Sequence, residues 1–210
     1  MPKCFSIFVK NNIMIDKTYN DYIIEGFNTY EDLLDCLRDF SKNKRDGKIE
    51  KTQIRIINCV LLALDCLYEN KNIHFSPLEK DKYFLDRNGS FRYNEVRNKF
   101  YDSKTFDYGV QIKIGEKEVS IFFSLKGINE SGGHQDDVLM EIGKTCELIE
   151  KNKDENLYFV FLLDGEYIES QTKYLDKSEK YEVITSDPRR IESVFRKKIT
   201  KALKEMNDNE

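Results

Sequence analysis

The sequence predicts an α/β (α+β) fold: a central mixed sheet containing an antiparallel hairpin, with helices on its flanks. Three observations predict it. Two segments that alternate apolar and polar residues, FDYGVQIKI and EVSIFFSLK, are separated by the turn GEK, which is the pattern of a half-buried hairpin. Two short apolar segments follow, LYFVFLLD at 157–164 and YEVIT at 181–185, each next to a stretch of helical periodicity. The resulting order of helix, hairpin, helix, strand, strand, helix gives a sheet that must be covered by helices to bury its apolar residues.

The first helix expected is TYEDLLDCLRDF at 29–40, where Thr29 and Asp32 stand in capping-box positions and Leu33, Leu34, Leu37 and Phe40 share a face. The linker-like stretch SKNKRDGKIEK at 41–51 separates it from TQIRIINCVLLALDCLYEN at 52–70. That second helix is apolar on nearly all sides except a stripe of Arg55, Asn58, Asp65 and Glu69, so it belongs in the centre of a domain. Residues 71–105 read as irregular, with an Asn88-Gly89 turn between two short strands. They interleave aromatic and basic residues such as Tyr83, Arg87, Phe91, Arg92 and Tyr93. This mixture suits base stacking and phosphate contact, and it also arises readily in a chain rich in Tyr and Lys.

The 210 residues suit a single domain over 1–210 that builds a hydrophobic core without disulfides. Apolar residues make up 40% of the chain, too many for a disordered polyampholyte. The amino terminus lacks a basic segment leading into an apolar stretch, and no apolar run approaches the ~20 residues that span a bilayer. A cytoplasmic protein with no membrane association is expected. Cys4, Cys36, Cys59, Cys66 and Cys146 form no CxxC pair, which argues against a disulfide framework or a zinc site. With two histidines in the chain, a Cys/His nucleophile pair has little support. The net charge of −4 hides a local asymmetry. Between Pro188 and Lys204 seven basic residues, among them Arg189, Arg190 and Lys197, stand against Glu192 alone.

In the hairpin, Tyr108, Val110, Ile112 and Ile114 alternate with polar residues or glycine, as do Val119, Ile121, Phe123 and Leu125 on the returning strand. A turn centred between Gly115 and Glu116 pairs residues whose numbers sum to 231 and sets Asp107 opposite Ser124, with Lys126 diagonal to it. Asp107, Ser124 and Lys126 then share a face. A cross-strand ion pair or a solvated strand end would explain Asp107 and Lys126, and so would a catalytic pair. The following segment, GINESGGHQDDVLMEIGKTCELIEKN, reads as a glycine-containing loop and a helix from about Gln135 to Lys151. Its packing face is Val138, Ile142, Thr145 and Ile149, and Glu141 falls on that side of the wheel. A carboxylate directed inward needs a partner, either a lysine or a metal ion held jointly with Asp107.

These residues resemble the catalytic core of the PD-(D/E)xK nuclease superfamily, in particular type II restriction endonucleases. There an aspartate on one strand and an acid-x-lysine on the next, antiparallel strand bind magnesium beside the scissile phosphate, and a helix then packs across the sheet. Phe106-Asp107 stands where Pro-Asp is usual, and Ser124-Leu125-Lys126 where acid-x-lysine is usual. The resemblance covers about 52–165. Some members carry serine-x-lysine and take the carboxylate from a glutamate on the following helix, the position of Glu141. The resemblance therefore implies a restriction-endonuclease-like fold with Mg²⁺ held by Asp107, Glu141 and the Leu125 carbonyl, Lys126 orienting the attacking water, and Ser124 as a hydrogen-bonding neighbour.

Phosphodiester hydrolysis asks for charge neutralisation at the phosphate and a hydroxide-like nucleophile, which Mg²⁺ on one or two carboxylates supplies. The function expected is a Mg²⁺-dependent endonuclease on double-stranded DNA, a site-specific homodimer. His134 and Gln135 near the helix start, and Arg189, Arg190 and Lys197 on the basic helix at 188–206, are candidate phosphate contacts. Two alternatives stay open: a nuclease-fold protein that binds nucleic acid without cleaving it, and a structural or antitoxin-like partner protein.

Overall fold

The computed structural model describes residues 49–68, 71–78, 82–93, 104–127, 133–164 and 178–208. The expected helix at 29–40 and most of the linker after it lie outside the described residues. Helix α1 (Ile49–Tyr68) is followed by β1 (Ile73–Leu78), β2 (Tyr83–Leu85), β3 (Phe91–Tyr93), β4 (Lys104–Thr105), β5 (Tyr108–Ile114) and β6 (Lys117–Gly127). Helix α2 (Gly133–Lys151), β7 (Leu157–Asp164), β8 (Tyr181–Ile184) and helix α3 (Pro188–Asn207) complete the order.

Five strands form one mixed sheet in the order β1-β5-β6-β7-β8. The hairpin pairs antiparallel, with Tyr108 opposite Phe123 and Ile114 opposite Lys117, so each pair sums to 231 as a turn centred between Gly115 and Glu116 requires. Beyond it β6 runs parallel to β7, and β7 parallel to β8. The return from β6 to β7 is made by α2, as a parallel connection needs a crossover.

Alternation then sorts the side chains onto two faces. Val110, Ile112, Ile121, Phe123 and Leu125 turn toward α1 and α3, where Ile56, Leu64, Ile191 and Phe195 complete the larger core. Phe122, Phe159 and Phe161 turn the other way, toward Val138, Ile142 and Ile149 of α2. Gly109 pairs with Phe122, whose ring fills the space that a Cβ there would take. Among the described residues no helix is long and apolar enough to cross a membrane.

The stretch 71–105 is more ordered than its composition implies. Strand β1 joins the main sheet antiparallel to β5, and β3-β2-β4 form a second, three-stranded antiparallel sheet. Among the described residues strand β1 is an edge: its ladder has one neighbour, it contains Pro77, and His74, Ser76 and Pro77 are exposed. An edge strand lacks the apolar run of a central one, so its pattern is weak in sequence. The small sheet lies over α2's face of the main sheet, with the Phe91 and Phe122 ring centroids 4.5 Å apart and those of Tyr83 and Phe122 5.3 Å apart. Its aromatic residues are therefore largely spent on packing.

Candidate functional site

Asp107 stands immediately before β5, where the hairpin ladder ends. Its N–H donates to the Phe123 carbonyl at 2.9 Å, and its Oδ2 accepts from the Leu125 N–H at 2.8 Å. The carboxylate thus continues the ladder by one bond and is tied to the middle residue of Ser124-Leu125-Lys126. Leu125 itself is 4% exposed with its side chain in the larger core, so a backbone carbonyl is all it could offer a metal.

Ser124 and Lys126 point to the face covered by α2, the face opposite to Leu125. Lys126 reaches Glu141 of α2, with Nζ and Oε2 3.5 Å apart. Glu141 lies one residue before the buried Ile142, on the flank of the packing face, and its side chain is 42% exposed. Glu141 is thus half-exposed on the flank rather than directed inward as the wheel predicts, and its carboxylate pairs with the lysine. At these exposures the ion pair is worth under about 1 kcal/mol, so its geometry matters more than its contribution to stability. Ser124 is 1% exposed, and its Oγ is buried with no hydrogen-bond partner among the described residues.

Asp107 and Glu141 are therefore tied to consecutive residues of β6, one through the Leu125 N–H and the other through the Lys126 ammonium. Among the described residues no three His, Cys, Asp or Glu side chains form a metal-holding group. Magnesium takes oxygen ligands, commonly one or two carboxylates with water completing the octahedron. Carboxylates and a hydroxyl are among the donor types that such an ion takes. They do not fit zinc, which prefers nitrogen and sulfur in a closed tetrahedron.

The other candidates divide. His134, expected in the loop, falls with Gln135 in the first turn of α2, where Gln135 is expected, and their side chains lie outside the described residues. On α3, Asp187 caps the helix by accepting from the Arg189 N–H at 2.9 Å, and the preceding Ser186 binds Asp164 at the end of β7. The start of α3 is thus at the same end of the sheet as Lys126, and its far end is at the start of β6, where Lys117 pairs with Glu205. Arg189 and Arg190 are exposed at the near end. Lys197 is about 12 Å further along the helix and is paired with Glu182. Helix α3 packs on the α1 side, so its basic face belongs to the opposite layer from Glu141.

One side chain that the sequence reading passes over reaches this end of the sheet from α1. Gln53 is 0% exposed, and its Nε2 donates to the Lys126 carbonyl, the Leu162 carbonyl and Asp164 Oδ2 at 3.2, 3.1 and 2.8 Å. Its signal in sequence is a lone amide in the segment TQIRIINCVLLAL, outside the polar stripe of that helix. Two other apparent signals are structural: Cys59 and Cys146 are buried core thiols. No protein-family model, curated protein or solved structure matches the chain.

Proposed function

We propose that the protein is a Mg²⁺-dependent endonuclease that hydrolyses phosphodiester bonds of double-stranded DNA, acting as a site-specific homodimer of the type II restriction class. The single observation that carries this reading is the convergence on one strand end: Asp107 bonded to the Leu125 N–H, and Glu141 ion-paired to Lys126 across the helix–sheet interface. An acid, a lysine and a second acid are what a metal-assisted attack on phosphate asks for.

Asp107 and Glu141 would hold the ion. When bound, Mg²⁺ would neutralise charge on the phosphate and lower the pKa of a bound water. Lys126 pairs with Glu141 here, and beside a bound phosphate its ammonium would orient the attacking water. The hydroxyl of Ser124, enclosed beneath and unpaired among the described residues, would bring no charge to the ion. Arg189 and Arg190, exposed at the same end of the sheet, would meet the DNA backbone, a contact that fixes register rather than sequence.

The test is cleavage of plasmid and phage DNA with Mg²⁺ or EDTA, beside Lys126→Ala and Glu141→Ala. Discrete metal-dependent fragments from the wild type, lost by ~100-fold or more in both variants, are expected on the scale of removing a group that stabilises transition-state charge. Wild-type cleavage by Glu141→Ala would remove the displaced-glutamate arrangement. A second reading, a nuclease-fold protein that binds DNA without cutting it, is favoured by the serine at 124. It predicts salt-dependent DNA binding with intact DNA throughout.

A further inference from the structure

The amide of Gln53 is arranged in a way that packing does not explain. Three acceptors converge on one nitrogen that has two hydrogens. At the same time Gln53 Oε1 is buried with no hydrogen-bond partner among the described residues. A buried carbonyl left unpaired costs ~1–3 kcal/mol. A methionine of similar volume would avoid that cost on the apolar face of α1, beside Ile56, Ile57 and Val60. What the amide alone provides is a cross-tie.

The tie joins three elements at one level. Lys126 lies one residue before the end of β6 and is paired in register with Leu163, and Gly127 is paired with Asp164. Gln53 bonds the backbone of Lys126 and the side chain of Asp164 together. Asp164 is held from its other side by the Ser186 N–H at 3.0 Å and the Ser186 hydroxyl at 2.5 Å. A partly buried polar chain thus runs from the Lys126 carbonyl through Gln53 and Asp164 to Ser186, just before the cap of α3. It gathers the backbone of Lys126 from the α1 side, while the lysine side chain reaches Glu141 on the α2 side.

We propose that Gln53 is a positioning residue for Lys126: by gripping the Lys126 carbonyl and Asp164 at once, it fixes the end of β6 and so the place of the Lys126 ammonium beside Glu141. The consequence for cleavage rests on the proposed function; the positioning itself does not. An acid or amide at position 53 is therefore read through its donor capacity. Glutamine always donates, an ionised glutamate cannot, and a protonated glutamate donates once.

The experiment compares the wild type with Gln53→Met, which keeps volume and removes the donor, and Gln53→Glu. Lysine labelled at the ε-carbon reports Lys126 by NMR, with its signal assigned through Lys126→Arg, and hydrogen exchange reports the amides of Lys126 and Gly127. Expected in Gln53→Met are a displaced Lys126 signal and at least tenfold faster exchange at 126–127, with the β1-β5 ladder unchanged. Expected in Gln53→Glu are the same changes near neutral pH and a return toward the wild-type signal as the carboxyl is protonated, which a volume-filling role would not give. A Lys126 signal identical to wild type in both variants overturns the proposal. Under cleavage conditions kcat should fall about 10–100-fold in Gln53→Met with KM for DNA unchanged, the effect of a misplacement near 1 Å. If the wild type cuts no DNA while the NMR changes appear, the nuclease reading fails and the role of Gln53 stands.

Discussion

Ser124 encloses a hydroxyl that finds no partner among the described residues, while Asp107 and Lys126 on the same face are engaged. Removing an unpaired buried hydroxyl removes its desolvation penalty, so Ser124→Ala should stabilise the protein by ~1–2 kcal/mol. For a chain of this size that is a rise of roughly 2–6 °C in Tm, measured calorimetrically. A fall in Tm would show that the hydroxyl is bonded in solution. Asp107 allows a cleaner separation of roles, because its Oδ2 serves the Leu125 N–H whether or not the carboxylate binds metal. Asp107→Asn keeps an acceptor and loses the charge, so it should remain within about 1 kcal/mol of wild type in urea denaturation, while Asp107→Ala loses ~1–2 kcal/mol. Both should abolish metal-dependent cleavage. Equal stability of the two variants would mean that the observed hydrogen bond contributes nothing.

At the level of elements, the small sheet is held to α2 through its β2-β3 turn. Asp86 Oδ1 accepts from the N–H groups of Asn88 and Ser90, both at 2.9 Å, and these bonds hold its pKa below the ordinary carboxylate value. The turn then needs Gly89 at φ +75°, which an L side chain rarely adopts. A Cβ at Gly89 would sit 2.4 Å from the Leu148 carbonyl and 2.7 Å from Lys151 Cβ. Asn152, after the end of α2, donates to the Gly89 carbonyl at 2.8 Å. Gly89→Ala should therefore destabilise by more than the ~1–3 kcal/mol of backbone strain alone, with urea denaturation as the measure. Its first effect is to lift the small sheet from α2, so exchange of the β2 and β3 amides should rise before that of β5 and β6. The asparagine-glycine pair is a short-range hairpin signal; the closeness of α2, which makes the glycine obligatory, is not visible locally.

Across the whole molecule the basic helix is less basic than its residues imply. Glu192 pairs with Arg196, Glu182 with Lys197, and Glu205 with both Lys117 and Lys201. Lys198 lies with Nζ 3.3 Å from the centroid of the Tyr158 ring. Burial, aided by Lys201 and Lys197 and opposed by Glu182 and Glu179, brings its pKa down to about 8. Between pH 8 and 10 the folded lysine has lost its proton while the unfolded one keeps it. The unfolded chain then binds more protons, and stability rises with pH. Above about pH 10 unfolded tyrosines ionise, whereas burial pushes Tyr108 up to about 12 and also raises Tyr158, where Glu182 adds to the effect. Stability then falls. Urea denaturation at pH 7.5, 9, 10 and 11 should show a maximum near pH 10, and Lys198→Met should flatten the rising limb. A rise that survives intact in that variant would assign it to another group.

The sequence by itself determined the hairpin, its register and the face shared by Asp107, Ser124 and Lys126, because period-2 alternation with a buried face excludes a one-residue slip and the position of the GEK turn selects among the rest. It determined the packing face of α2 for the same kind of reason: Val138, Ile142, Thr145 and Ile149 recur at helical spacing and all are buried. Strand β1, an edge with one neighbour and a proline, carries too little apolar pattern to be legible. The tertiary structure alone decided what each polar group meets. It gave Glu141 to Lys126, set Arg189 at the site's end of the sheet and Lys197 away from it, and brought Gln53 to Lys126 across 73 residues of chain. Periodicity records which side of an element is buried, and it holds no information about which distant donor will meet which acceptor there.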